Sequence, residues 1–179
     1  LTTIRNGGKG AELIDRLRLQ VGRLDVSADE LEGRNQRSAL FKTMFLAFRS
    51  NGAKDWLSNL AIALDHSGAQ HQLQFHHIFP KKQLKGIHTA READDIANLT
   101  FIGGKTNRAI SDKEPAKYLL PLIEQQGDLP FRAQAIPTSP ALLEIQAYKD
   151  FLKVRRTMIA ERLNAFLGVE GSGERTEQR

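Results

Sequence analysis

Apolar positions along the chain recur first at helical and then at strand spacing. Leu13, Ile14, Leu17, Val21 and Leu24 fall every three or four residues, with Arg16 and Arg23 available for the other face, which predicts an amphipathic helix. Ser27 and Glu30 have the S-x-x-E spacing of a capping box, so a second short helix is expected there, stopping at Gly33. From Arg37 to Ser50, Leu40, Phe41, Met44, Phe45 and Phe48 share one face, closed by the Asn51-Gly52 turn signal. A Met and Phe stripe of this kind is core rather than a ligand box. Asp55 is then placed to cap a helix carrying Trp56, Leu57, Leu60, Ala61 and Leu64.

The period changes near residue 72. Leu73 and Phe75 alternate with Gln72 and Gln74 as in a short half-buried strand, which runs into His76-His77 and ends at Pro80. Pro80 to Leu84 suits a helical turn, and His88 to Asp95 is polar without a clear period. Leu99 to Ile102 is a second strand, and Gly103-Gly104 turns into a helix over Lys105 to Ile110. Ser111 and Glu114 again have capping-box spacing, with Pro115 in the first turn of a helix through Tyr118, Leu119, Leu122 and Ile123 that Pro121 is expected to kink or end. Gly127 to Pro140 holds three prolines and reads as a loop. Ser139-Pro140 opens a long helix, with Leu143, Tyr148, Phe151, Leu152, Ile159, Leu163 and Phe166 in helical register.

The length of 179 residues suits one domain, and 40% hydrophobic with 26% charged residues is the composition of a soluble globular chain. No apolar run approaches the roughly 20 residues needed to span a bilayer, so no membrane is expected. Lys and Arg number 26 against 21 Asp and Glu, a net +5 that suits a polyanionic partner or a solvated basic surface. Cysteine is absent, which excludes disulfides and CxxC zinc sites and accords with a cytoplasmic location. The chain begins at Leu1 with no signal-like segment after it, and we read it as part of a longer polypeptide.

The chemistry concentrates between Gln74 and Ser111. Phosphodiester hydrolysis needs a water nucleophile, a base to deprotonate it and positive charge on the phosphoryl and departing oxygens. Neutral histidine is the side chain best matched to the base role near pH 7. His76 and His77 are adjacent, so on a strand they point to opposite sides; one can hold a metal while the other faces water if the strand end bends. Gly104-Lys105-Thr106 has the look of a P-loop end, but Leu99 stands where that loop needs glycine, so nucleotide binding is excluded there.

The stretches QFHHIFP (74–80) and ANLTFIGGKTNRAIS (97–111) resemble the ββα-metal motif of HNH nucleases. The resemblance implies that His76 ligates a metal, His77 is the general base, Asn98 holds the loop within the catalytic motif, and Asn107, nine positions after Asn98, is the second ligand. Two departures from the commonest pattern are Asn107 in place of His and Ser111 where a further His sometimes ligates; we read Ser111 as a helix cap. One imidazole, one amide oxygen and no thiolate favour Mg²⁺ or Mn²⁺, with Ni²⁺ or Zn²⁺ as alternatives. Lys81, Lys82, Lys105, Arg108 and Lys113 crowd the motif and are expected to meet the nucleic-acid backbone.

Blocks RSALFKTMFLAFRSNGAKDWL, KTNRAISDKEPAKYL and FLKVRRTMIAERLNAFL extend the resemblance to the C-terminal HNH domain of GmrSD-type restriction endonucleases. That resemblance implies DNA, including modified phage DNA, as substrate, and an upstream ParB-like NTPase domain of the same polypeptide as partner. The expected fold is α+β, mostly α-helical, with an embedded ββα-metal motif. Residues 1–36 form an N-terminal helical segment continuing from the upstream domain, 37–167 the nuclease domain with its core at 73–111, and 168–179 a disordered tail. The rival readings are a non-catalytic DNA-binding or interaction module and an RNA-cleaving or nonspecific nuclease.

Overall fold

The computed structural model describes residues 24–64, 68 and 71–169. The expected helix at Leu13 to Leu24, apart from Leu24 itself, and most of the C-terminal tail lie outside them, as do Asp65 and His66. The described chain is a mixed α+β fold in which helices surround one two-stranded antiparallel sheet. Among the described residues no helix is long and apolar enough to cross a membrane.

Helix α1 (Ala28–Leu31) starts with the reciprocal Ser27–Glu30 capping box expected from their spacing. Helix α2 (Ala39–Ser50), capped by Ser38, buries Phe41, Met44, Phe45 and Phe48. Their rings close on Phe101 at 4.9, 5.3 and 6.2 Å from Phe41, Phe45 and Phe48. Strand β1 (Leu73–His77) pairs with β2 (Leu99–Gly103) in a register that sets His76 opposite Thr100 and His77 opposite Leu99. Between them come two single turns, α3 (Lys81–Leu84) and α4 (Ala90–Ala93), the latter with a Thr89–Glu92 capping box. After β2 come α5 (Gly104–Ile110), α6 (Pro115–Gln126), the turn α7 (Leu129–Arg132) and α8 (Tyr148–Phe166).

A lone pair of strands is marginal in water, and its free edge must be covered. Gln134 covers it. Its Oε1 accepts the Phe101 N–H at 3.0 Å and the Thr100 hydroxyl at 2.7 Å, while its Nε2 donates to the Phe101 carbonyl at 2.9 Å. One buried side chain thus takes the place of a third strand for Phe101. Next to it Ala135 adopts a positive φ of 53°, unfavourable for a residue with a Cβ. This turn exposes the Gln134 and Ala135 carbonyls to Arg155, which donates to both and, at 2.7 Å, to the carbonyl of Ala97.

Arg155 and Arg156 therefore have separate structural roles. Arg155 is fully buried among carbonyls, and burial pushes its guanidinium down to about 9. Arg156 pairs with Asp95 at 2.6 Å. Asp95 is the N-cap of the 3-10 turn Ile96–Asn98, accepting the Ala97 N–H; it is buried rather than at the surface and also accepts the Gly33 N–H.

Several sequence expectations are corrected. Residues 56–64 form no helix; the chain turns there and Lys54 bridges to Ala61. Asp55 does cap the turn that follows, accepting the Leu57 and Ser58 N–H groups, but the turn stops at Asn59, where φ is 57°, and the chain folds back with the Asp55 N–H on the Leu60 carbonyl. Ser111 does not cap α6; it ends α5 with a positive φ of 53°, its N–H on the Asn107 carbonyl, and Glu114 occupies the α6 N-cap. Helix α6 continues past Pro121 to Gln126, because Pro121 and Lys117, whose carbonyl loses its partner, are both exposed to water. Gly127 to Pro140 includes the turn α7 rather than loop alone. The long helix begins at Tyr148 after two 3-10 turns, Pro140–Leu142 and Ile145–Ala147, so its 19 residues span about 28 Å.

Asp55 fastens the start of α5. The N-cap residue Gly103 has no side chain to cap with, and the Asp55 carboxylate supplies what is missing, accepting the Gly103 N–H at 2.7 Å and the Thr106 hydroxyl at 2.6 Å. Burial pulls this carboxyl upward, but hydrogen bonds from Thr106, Gly103 and Ser58 outweigh it and leave its pKa below the ordinary 3.8. A carboxyl depressed on folding adds stability that is fully present above its unfolded pKa and lost as pH falls through the folded one. Asp55→Asn, which keeps one acceptor and replaces the other with a donor, is expected to cost about 2 kcal/mol at pH 7. In urea titrations the gap between wild type and variant should narrow only below about pH 4.

Candidate functional site

The expected ligand pair meets where β1 faces α5. His76 points from β1 toward α5, where its Nδ1 lies 2.8 Å from Asn107 Oδ1. Asn107 in turn donates from Nδ2 to Gln74 Oε1 at 2.6 Å, so the amide is oriented with its oxygen toward the imidazole. Gln74 lies two residues before His76 on the same strand face, the signal by which period-2 reasoning reaches it. The His76 ring is only 5% exposed, packs edge-on against Tyr118 at 6.0 Å, and has a buried Nε2 without a hydrogen-bond partner. The strand expectation is inverted here: Phe75 is 48% exposed and His76 is buried.

Burial is the main cause that pushes His76 down to about 4; Asn107 opposes it, and charge on nearby His77 pushes the same way. The ring is therefore neutral at pH 7, as a metal ligand must be. The His76–Asn107 separation of 2.8 Å is that of an ordinary hydrogen bond. Among the described residues no group of three or more His, Cys, Asp or Glu side chains gathers for a metal. The donors that His76 and Asn107 offer are one imidazole nitrogen and one amide oxygen.

His77 points the other way, toward the end of α4. Its Nε2 is 3.0 Å from Asp94 Oδ1, and Lys81 Nζ reaches the same oxygen at 2.6 Å. Burial holds the imidazole below its ordinary pKa, with Asp94 pulling up and Lys81 pushing down. The ring keeps partial exposure, 22% of its side chain. Asp94 was missed from the sequence, because nothing in a polar stretch without periodicity marks one acid among its neighbours.

Asn98 is fully buried and acts as a clamp between the two strands' connecting turns. Its Oδ1 accepts the Phe79 N–H at 2.8 Å, and its Nδ2 donates to the carbonyls of Phe79 at 3.0 Å and Ala93 at 2.9 Å. Its backbone carbonyl accepts the Ile78 N–H, extending the ladder one residue past His77. Asn98 thus fixes the residue two beyond His77 and the residue just before Asp94.

The basic residues divide. Lys81 is engaged by Asp94, Lys82 by Asp112 at 2.7 Å, and Lys113 by the Ala109 carbonyl at 3.0 Å. Lys105 and Arg108 are exposed on α5, beside Asn107 in sequence. His88 packs on Tyr148 at 4.8 Å and lies away from the His76–Asn107 pair in its contacts.

No family model matches the chain. No solved structure matches it. The chain is similar to the uncharacterized protein MJ0686 of Methanocaldococcus jannaschii, with 29% identity over 126 residues. That match takes in 69% of this chain and 20% of the relative, so the chain spans about a fifth of the relative's length.

Proposed function

We propose that this chain is a metal-dependent DNA endonuclease domain of the HNH kind, with β1, β2 and α5 as a ββα-metal motif. The observation that carries the reading is the His76–Asn107 donor pair, 2.8 Å apart, with a second, partly exposed histidine adjacent to it in the strand. His76 and Asn107 hold the divalent ion, Mg²⁺ or Mn²⁺ by their donor chemistry. When bound, the ion supplies positive charge for the phosphoryl and departing oxygens. His77 takes the proton from the attacking water, Asn98 holds the backbone that carries it, and Lys105 and Arg108 meet the phosphate backbone.

The similarity to a fifth of a longer protein supports a domain within a larger polypeptide. In the GmrSD-type reading its partner is an upstream NTPase domain, its substrate is modified phage DNA, and its setting is cytoplasmic defence.

A plasmid-cleavage assay with Mg²⁺, Mn²⁺, Ni²⁺ and Zn²⁺, run beside a single-stranded RNA of equal length, tests the proposal. Wild type is expected to nick or linearise plasmid with Mg²⁺ or Mn²⁺ and to lose all activity in EDTA. Asn107→Ala, which leaves one protein ligand, should raise the metal concentration for half-maximal rate by about 10- to 100-fold. The rival reading, a binding module that does not turn over, draws on the same contact, since His76 and Asn107 satisfy each other without an ion. Absence of Mn²⁺ binding by calorimetry together with absence of cleavage would select it.

A further inference from the structure

Three elements converge on one carboxylate oxygen. His77 closes β1, Lys81 opens α3, and Asp94 follows α4, yet His77 Nε2 and Lys81 Nζ both lie within hydrogen-bond distance of Asp94 Oδ1. The convergence is held from behind. Asn98 Nδ2 grips the carbonyl of Ala93, the residue before Asp94, and the Tyr148 hydroxyl grips the carbonyl of Glu92 at 2.7 Å.

A neutral imidazole has one N–H and one lone pair, and whichever nitrogen donates leaves the other as the base. A carboxylate can only accept, so the nitrogen facing Asp94 must carry the proton. We propose that Asp94 is a positioning residue for His77: it accepts the Nε2–H, fixes the ring plane, and leaves the Nδ1 lone pair as the atom that takes the proton from water. This rests on the nuclease reading of the same site.

Lys81 has a defined part in this arrangement. Its ammonium donates to Oδ1 as well, so that oxygen is kept toward the imidazole and the other, Oδ2, away from it. Lys81, expected from the sequence as a phosphate contact, is the third member of a His77–Asp94–Lys81 group. Asp94 and Lys81 side chains are 40% and 52% exposed, so solvent screens their charges and orientation is the larger part of the effect.

The distinction between hydrogen bond and charge sets the test. Asp94→Asn keeps an oxygen that accepts from Nε2–H, and the Lys81 ammonium opposes the flipped amide that would turn an NH₂ group toward it. Asp94→Ala removes the acceptor. Kinetics on plasmid with Mn²⁺ are expected to give a kcat lower by about 10- to 100-fold for Asp94→Ala with KM nearly unchanged, and a kcat within a few-fold of wild type for Asp94→Asn. In a His77→Ala background Asp94→Ala should cost nothing further, since there is no ring left to orient.

A second readout is independent of turnover. In metal-free, ¹⁵N-labelled protein, long-range ¹H–¹⁵N correlation spectra should show His77 as the single Nε2–H tautomer in wild type and Asp94→Asn. In Asp94→Ala the two ring-nitrogen shifts should move toward each other as the tautomers average. An Nδ1–H tautomer in wild type, or equal losses in Asp94→Ala with and without His77, would overturn the assignment. If wild type cleaves nothing with any metal, the nuclease reading fails on its own, and the tautomer spectra still decide whether Asp94 sets the ring.

Discussion

His77→Ala is expected to lower metal-dependent plasmid cleavage by about 10²- to 10⁴-fold, the usual contribution of a positioned general base. That range corresponds to about 3–5 kcal/mol of transition-state stabilisation. The ring is a good candidate for a loss of this size because it combines access with restraint: partly open to water, held by Asp94 on one nitrogen, and kept below its ordinary pKa chiefly by burial. An uncharged ring held this way carries its one proton on the nitrogen facing Asp94 and leaves the other nitrogen as the acceptor. The phosphate contacts proposed for Lys105 and Arg108 do not pass through His77, so DNA affinity in a gel-shift titration should stay within about threefold of wild type. Equal cleavage rates for wild type and variant would remove His77 from the mechanism.

Asn98→Ala is expected to destabilise the fold by about 3–5 kcal/mol, because it strands buried backbone groups rather than merely deleting contacts. The Phe79 N–H and the carbonyls of Phe79 and Ala93 lose their partner in a region with no water access at that side chain. Asn98→Asp is no rescue: it can still accept from Phe79 N–H but places a carboxylate against two carbonyls. Urea denaturation at pH 7 measures the cost, and a loss below about 1 kcal/mol would show that the clamp is dispensable. Asn98 was read from sequence as holding the loop within the catalytic motif, and its side-chain contacts are all to backbone. Its effect on cleavage is therefore expected to come through the placement of His77 and Asp94.

Much of the frame was legible because its determinants are local. The Phe and Met stripe of α2, the Ser27–Glu30 box and both strands are periodicities of two to four residues, set by which side chains must face one way. The helix at 56–64 failed for the opposite reason. Asp55 caps its turn as expected, but the turn ends at Asn59 with a positive φ and the chain folds back on itself. The same carboxylate also reaches Gly103 and Thr106, 48 and 51 residues away, so the tertiary setting overrides a local preference. Ser111 was misread likewise: spacing to Glu114 suggested a box, but the chain needs a left-handed residue there to leave α5.

By itself the sequence determined the order strand, excursion, strand, helix, and the candidate residues His76, His77, Asn98 and Asn107, since spacing along a regular element fixes which side chains share a face. It also determined that any metal would be held without thiolates, there being no cysteine. Tertiary structure alone decided that Asp94 and Lys81 meet at His77, that Gln134 covers the edge of β2 and that Arg155 braces Ala97. Those contacts join polar residues from separate elements. A polar side chain has no periodicity of its own, and its partner is set only when burial forces every donor and acceptor around it to be satisfied.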